Sequence, residues 1–147
     1  MFTDVSFCSE TNIGAYAVWA KAEGRTLRYA SMFKRPVQNV NVAEAYALIN
    51  GVVITLRSIK PGPGSKIIAQ TDSLNAISAL TKRIRLAAYS GLAEMMVTKL
   101  AEYNTRIEYR HVTAHHGTQT PRHAVNTWCD KECRRLLRGA RNAQNAP

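Results

Sequence analysis

Between residues 33 and 42 the chain changes its apolar period, and that change limits the folds open to it. Upstream lie three runs with strand character: Phe2-Thr-Asp-Val-Ser-Phe-Cys8, residues 13–21 with Ile13, Tyr16, Val18 and Trp19, and residues 25–33 with Leu27, Tyr29 and Met32. Side chains along a strand leave alternate faces, so Asp4 and Ser6 share one side of the first. Ser9-Glu-Thr-Asn12 and Glu23-Gly24 between the runs are turn material. Three strands with connections this short predict an antiparallel meander. Downstream, Val42, Ala45, Tyr46, Ile49, Val52, Val53 and Leu56 follow the i, i+3, i+4, i+7 spacing of an amphipathic helix over about 42–58, with Asn41 as its N-cap.

From there the elements alternate. Lys60-Pro-Gly-Pro-Gly-Ser65 stops the helix. Lys66–Thr71 reads as a short strand buried on both faces, and Ser73 caps a short helix through about Leu80. Lys82-Arg83-Ile-Arg85 interrupts. A helix over about 90–103 is expected to turn Leu92, Met95, Met96, Leu100 and Tyr103 inward. Residues 106–113 read as the last strand and 115–121 as a loop. The final helix, over about 123–138, sets Val125, Trp128, Cys129, Cys133, Leu136 and Leu137 on one face. This order, βββ-α-β-α-α-β-α, predicts an α/β domain built on one five-stranded mixed sheet, a meander followed by β/α units, with helices on both faces. A chain of 147 residues buries roughly 68–70% of its unfolded surface as one domain. That domain is expected to span 1–138, with 139–147 a polar, frayed tail.

Twenty Lys and Arg against ten Asp and Glu leave a formal charge of +10. Such an excess repels itself and calls for a polyanionic partner, with nucleic acid the first candidate. No apolar run approaches the ~20 residues of a membrane span, and no basic region precedes an apolar core at the front, so no membrane partner is expected. Cys8, Cys129 and Cys133 are odd in number and contain no CxxC, which argues against a zinc ribbon. Free thiols fit a reducing, cytoplasmic setting.

With ten acids in the chain, each placement can be weighed. Asp4 falls inside the first strand and Asp72 closes the fourth, positions where a carboxylate is rare unless paired or metal-bound. Glu44 lies in the first turns of the first helix and Asp130 beside the apolar stripe of the last. Taken singly, Glu44 reads as an acid favoured by the helix dipole and Asp72 as a helix cap. If the first and fourth strands are neighbours, however, Asp4 and Asp72 converge. Carboxylates so placed repel one another unless cations neutralise them. Oxygen-only donors suit Mg²⁺ or Mn²⁺, and two such ions ~3.5–4 Å apart stabilise both the attacking and the leaving oxygen of a phosphodiester displacement.

Phe2-Thr-Asp-Val-Ser6, Ala43-Glu44-Ala45, Thr71-Asp-Ser73, and His115-His-Gly117 through Asn126-Thr-Trp-Cys-Asp130 together resemble the type 1 ribonuclease H family, in order, spacing and element type, over nearly the whole chain. The resemblance implies a ribonuclease H-like fold and an endoribonuclease that cuts the RNA strand of RNA–DNA hybrids with two Mg²⁺ ions, for which Mn²⁺ is a possible substitute. It implies that Asp4, Glu44, Asp72 and Asp130 are the metal-binding catalytic acids. His115 would be the loop histidine that assists leaving-group protonation or product release, with His116 a weaker candidate. Ser6, Asn12, Asn41 and Ser73 match polar positions that touch the hybrid. Asn126, one turn before Asp130, would orient that carboxylate beside the substrate.

Lys82, Arg83 and Arg85 stand where some members carry a longer basic protrusion; they are either a remnant substrate handle or a solvated charge run. His111 reads as structural and His123 as solvent-facing. The sequence departs from the family at Val5, where Gly is usual after the first Asp, at Val40-Asn41 before the helix Glu, and at Leu74. A monomer is expected. Two other functions share the pattern: another nuclease of the same fold, such as a junction resolvase, which would be expected to dimerise, and a non-catalytic hybrid-binding or RNA-binding module.

Overall fold

The three strand-like runs fold as β1 (Phe2–Cys8), β2 (Ile13–Ala22) and β3 (Arg25–Met32), and the fourth and fifth strands are β4 (Lys66–Thr71) and β5 (Arg106–His111). The computed structural model describes residues 1–83, 87–113 and 121–144. One sheet holds all five strands in the order β3-β2-β1-β4-β5. The β1–β2 and β2–β3 pairs are antiparallel, which is the meander. The β1–β4 and β4–β5 pairs are parallel and need helical crossovers.

Those crossovers are α1 (Val40–Ile59), between β3 and β4, and α2 (Leu74–Leu80) with α3 (Leu92–Glu102), between β4 and β5; α4 (Pro121–Gln144) follows β5. A single 3₁₀ turn over Ala87–Tyr89 precedes α3. Residues alternate between two cores across the sheet. Val42, Leu48, Val52 and Leu56 of α1 pack with Ile67 and Ala69 of β4 and with Leu92 and Met96 of α3. On the opposite face, Cys129 and Cys133 of α4 pack on Phe2, Ala15 and Ala17. There Trp128 meets Trp19 edge-on at 5.5 Å, and the Arg28 guanidinium lies 4.1 Å over the Trp19 ring.

Several boundaries differ from expectation. The N-cap of α1 is Asn39, whose Oδ1 accepts from the Val42 amide at 3.0 Å; Asn41 is already helical. The helix therefore spans twenty residues, with a mean hydropathy of 1.4 over its most apolar 18-residue window, long and apolar enough by composition to cross a membrane. Most of it is instead buried against β1 and β2. β4 is not buried on both faces. Ile67, Ala69 and Thr71 are, but Ile68 and Gln70 are half-exposed, because α4 covers β1, β2 and β3 and leaves that side of β4 open. Met95 of α3 points outward, 42% exposed, and helps line an open cleft of about 380 Å³ with Phe33–Val37 and Tyr46. Finally, α4 runs on to Gln144, so the last helix extends over residues 139–144, beyond the boundary expected at 138. Arg141 ties this last turn down: its Nη2 donates to Cys8 Sγ at 2.8 Å and lies 3.6 Å from Glu10 Oε2.

Candidate active site

Asp4 sits in the middle of β1, paired with Ala17 of β2, and its Oδ1 accepts the Val5 amide at 2.8 Å. Asp72 is the first residue past β4. Since β1 and β4 are neighbours, both carboxylates reach the same end of the sheet. Glu44 comes from α1 above them. All three meet electrostatically: burial first, then the charges of Asp4 and Asp72, push the Glu44 carboxyl up to about 8.

The structure removes the simpler accounts of two of these acids. With Asn39 as N-cap, the first turn of α1 holds no acid and Glu44 lies in the second, where the dipole contributes little. The cap of α2 is Ser73, whose Oγ accepts from the Ala76 amide at 3.1 Å, and not Asp72. Glu44 is 8% exposed and its Oε2 has no hydrogen-bond partner among the described residues. A buried, unpartnered carboxylate oxygen beside two more carboxylates is an environment that a hard divalent cation would satisfy.

Asp130 reaches the same region from α4. Cys133, one turn further along, donates its thiol to the Asp4 carbonyl at 3.3 Å and so pins α4 to β1 at the acid. The thiols of Cys129 and Cys133 are completely buried and free. Burial raises both pKa values, and Asp4 raises them further; Cys133 also feels Cys129, Glu44 and Asp130. Glu44 thus shares one field with Asp4 and Asp72, and Asp130 joins Asp4 and Glu44 in acting on Cys133. The four acids do not close into a finished cage: among the described residues no group of three His, Cys, Asp or Glu is disposed to hold a metal, and Asp130 Oδ1 is paired with Arg134 at 2.8 Å. The donor chemistry fits a cation, which at Asp130 Oδ1 would compete with Arg134.

The remaining candidates divide. Ser6 follows Asp4 on the same strand face and lies beside α4. Asn12 occupies the β1–β2 turn with φ 54°, a left-handed position that Asn tolerates, and its carbonyl accepts the Val37 amide at 2.8 Å. Asn41 Oδ1 accepts from Asn75 Nδ2 at 3.2 Å, joining the first turns of α1 and α2. Sequence reasoning passed over Asn75; its place two residues after the Ser73 cap was the available signal. Asn126 is half-buried one turn before Asp130. Lys82 is engaged by Glu94 at 2.7 Å, while the Arg83 side chain is exposed. His115, His116 and Arg85 lie outside the described residues, as does the side chain of His123. His111, read as structural, has Nε2 3.1 Å from the Asp72 backbone carbonyl oxygen. Val5 turns toward α1 and packs, partly buried, against the core; Leu74 is exposed.

Comparison with known proteins bears on the whole arrangement. The RNase H family model matches residues 1–138. Among solved structures, the N-terminal RNase H domain of a Mycobacterium tuberculosis protein, determined as a fusion with maltose-binding protein, superposes with a TM-score of 0.68 at 17% identity, covering 97% of this chain and 94% of that one. RNase H1 from the halophilic archaeon Halobacterium salinarum gives 0.67 at 16% identity, covering 94% and 96%. No curated protein matches the chain.

Proposed function

We propose, from the premise that the chain belongs to the RNase H family, that it is an endoribonuclease hydrolysing the RNA strand of RNA–DNA hybrids with two divalent metal ions. The observation that most supports this reading is Glu44: an acid held in the core, its Oε2 unpartnered among the described residues, in the field of Asp4 and Asp72. A protein that only bound nucleic acid would gain nothing from buried acids that repel its partner's phosphates. In this reading Asp4, Glu44, Asp72 and Asp130 hold the cations, and Mg²⁺, when bound, supplies the positive charge that activates water and stabilises the leaving oxygen.

The chain's own residues supply position and selectivity. Cys133 fixes the Asp4 backbone from α4, and Thr71 Oγ1, accepting the Ser73 amide at 3.1 Å, fixes the turn that carries Asp72. Ser6 and Ser73 lie within two residues of an acid and offer hydroxyls that donate and accept, which suits a ribose 2′-hydroxyl. His115 is proposed to protonate the leaving group or speed product release.

The deciding experiment is a cleavage panel of hybrid, double-stranded RNA, double-stranded DNA and a four-way junction, each with and without Mg²⁺. Only the RNA strand of the hybrid should be cut, and only with metal. Cutting of all-DNA duplex or of the junction would instead support a resolvase, and tight hybrid binding without cleavage at any Mg²⁺ concentration a binding module.

A further inference from the structure

The face of β1 that carries Asp4 continues through Ser6 to Cys8, and α4 follows it. The two elements are joined at both ends of this stretch, by Cys133 Sγ to the Asp4 carbonyl and by Arg141 to Cys8 Sγ. Two residues of strand advance about 7 Å, so Ser6 lies about that far beyond Asp4. Over the same seam α4 presents Arg134, Arg138 and Arg141, four and then three residues apart, which is the spacing of a single helix face. With Ser6 and Leu137 they line an open cleft of about 180 Å³ whose wall has no carboxylate among the described residues.

The three arginines differ in their commitments. Arg134 is held by Asp130, and Arg141 touches Cys8 and Glu10. Arg138 has no ion pair among the described residues, although it is exposed and flanked by like charges. Side chains 66% and 46% exposed at Arg134 and Arg141 make the existing pairs weak and easily exchanged. Guanidinium side chains that line one cleft with a serine form a surrounding for an anion, and the planar fork of arginine suits the paired oxygens of a phosphate.

We infer that this cleft is a subsite for a backbone phosphate of a bound polynucleotide, next along the strand from the phosphate presented to the acids. The inference rests on the proposed function for the identity of that polynucleotide as an RNA–DNA hybrid. A polymer is favoured over a free anion by continuity: the cleft shares one strand face and one helix with the carboxylates, and it is open rather than enclosing. The division of charge along the seam then has a use. The acids, with cations, take the phosphate that reacts, and the arginines take its neighbour and set the register. Arg134 stands at the boundary and can turn from Asp130 to the cleft when Asp130 turns to a cation.

The test is the salt dependence of hybrid binding by the full chain, measured by fluorescence anisotropy in EDTA so that nothing is cut. Arg138→Gln breaks no ion pair among the described residues and should melt with the wild type. Its plot of log affinity against log salt should be shallower by about 1, the loss of one phosphate contact. Arg57→Gln, an exposed arginine in the last turn of α1, should leave the slope unchanged. An Arg138→Gln slope equal to that of wild type overturns the subsite. So does saturation of the Ser6 amide shift by micromolar inorganic phosphate with no change in hybrid slope, which would make the cleft a free-anion site. The cleavage reading is judged separately. If Arg138→Gln flattens the slope but the wild type cuts no hybrid, the subsite stands and the nuclease fails; if hybrid is cut and the slope is unmoved, the reverse holds.

Discussion

At the scale of single residues, Glu44 carries the sharpest conflict between stability and function. Its carboxyl is pushed up to about 8 in the folded chain, against an ordinary value of 4.5. The folded state therefore binds a proton more tightly than the unfolded one. Below pH 4.5 both states are protonated and folding incurs no penalty. Between pH 4.5 and 8 the unfolded state gives up its proton first, so stability falls with rising pH by roughly 1.4 kcal/mol per unit, and above pH 8 the loss is complete. Glu44→Gln keeps the shape without the charge. In chelator at pH 7 it should be more stable than wild type by on the order of 3 kcal/mol, with the two converging near pH 4.5. Urea melts at several pH values would show this, and parallel stability curves across that window would disprove it. In Mg²⁺ the same variant should have lost its cleavage. Asp72→Asn makes a different demand. Asp72 is half-exposed and is not the cap of α2, so the fold should survive. Cleavage at saturating Mg²⁺ should nevertheless fall by on the order of 100-fold or more, because a shared cation ligand is gone; near-normal turnover would remove Asp72 from the catalytic set.

At the scale of elements, the chain's local patterns account for the sheet and most of its helices, because strand alternation and the helical stripe of α1 are each written within a few turns of sequence. What could not be read there depends on contacts distant along the chain. Asn39 and Asn41 are equally good caps by composition; the structure chooses Asn39 because the turn leading out of β3 places its side chain over the Val42 amide. Replacing Asn39 with Ala should cost about 1 kcal/mol, and Asn41→Ala less, since Asn41 makes only an exposed bond to Asn75. Equal losses would return the cap to Asn41. The end of α4 was illegible for the same kind of reason: the polar run 139–144 reads as a tail until Arg141 is seen to reach Cys8, 133 residues away in sequence. Candidate acids were legible because carboxylates are scarce, and Asp4 falls inside a strand while Asp72 directly follows one. The arginine face of α4 was hidden in the general surplus of positive charge. Close packing of α1 on β1 was equally hidden. A Cβ at Gly51 would come within 2.8 Å of Thr3 Cγ2 and Met1 Cε, so Gly51→Val should destabilise by roughly 1–3 kcal/mol, read as a lower thermal midpoint.

For the molecule as a whole, the charge of +10 and the acid cluster pull in opposite directions. Net positive charge repels itself, so NaCl should raise the thermal midpoint slightly while weakening hybrid binding steeply as counterions compete. A divalent cation added to such a protein should be repelled by the field at large and drawn in only where Asp4, Glu44 and Asp72 outweigh it. Mg²⁺ therefore separates the two effects when compared with NaCl at equal ionic strength. General screening predicts the same midpoint in both salts. A cation that binds the folded acids and not the unfolded chain adds RT ln(1 + [L]/Kd), about 2.7 kcal/mol at a hundredfold excess over Kd, or roughly 5–10 °C for a chain of this size. The excess in Mg²⁺ should disappear in Glu44→Gln, which lacks both the penalty and the ligand, and should persist in Arg138→Gln, whose cleft faces phosphate. Identical midpoints for wild type in matched Na⁺ and Mg²⁺ would mean that the carboxylates do not gather a cation without substrate. The phosphate of a bound hybrid would then have to complete the site.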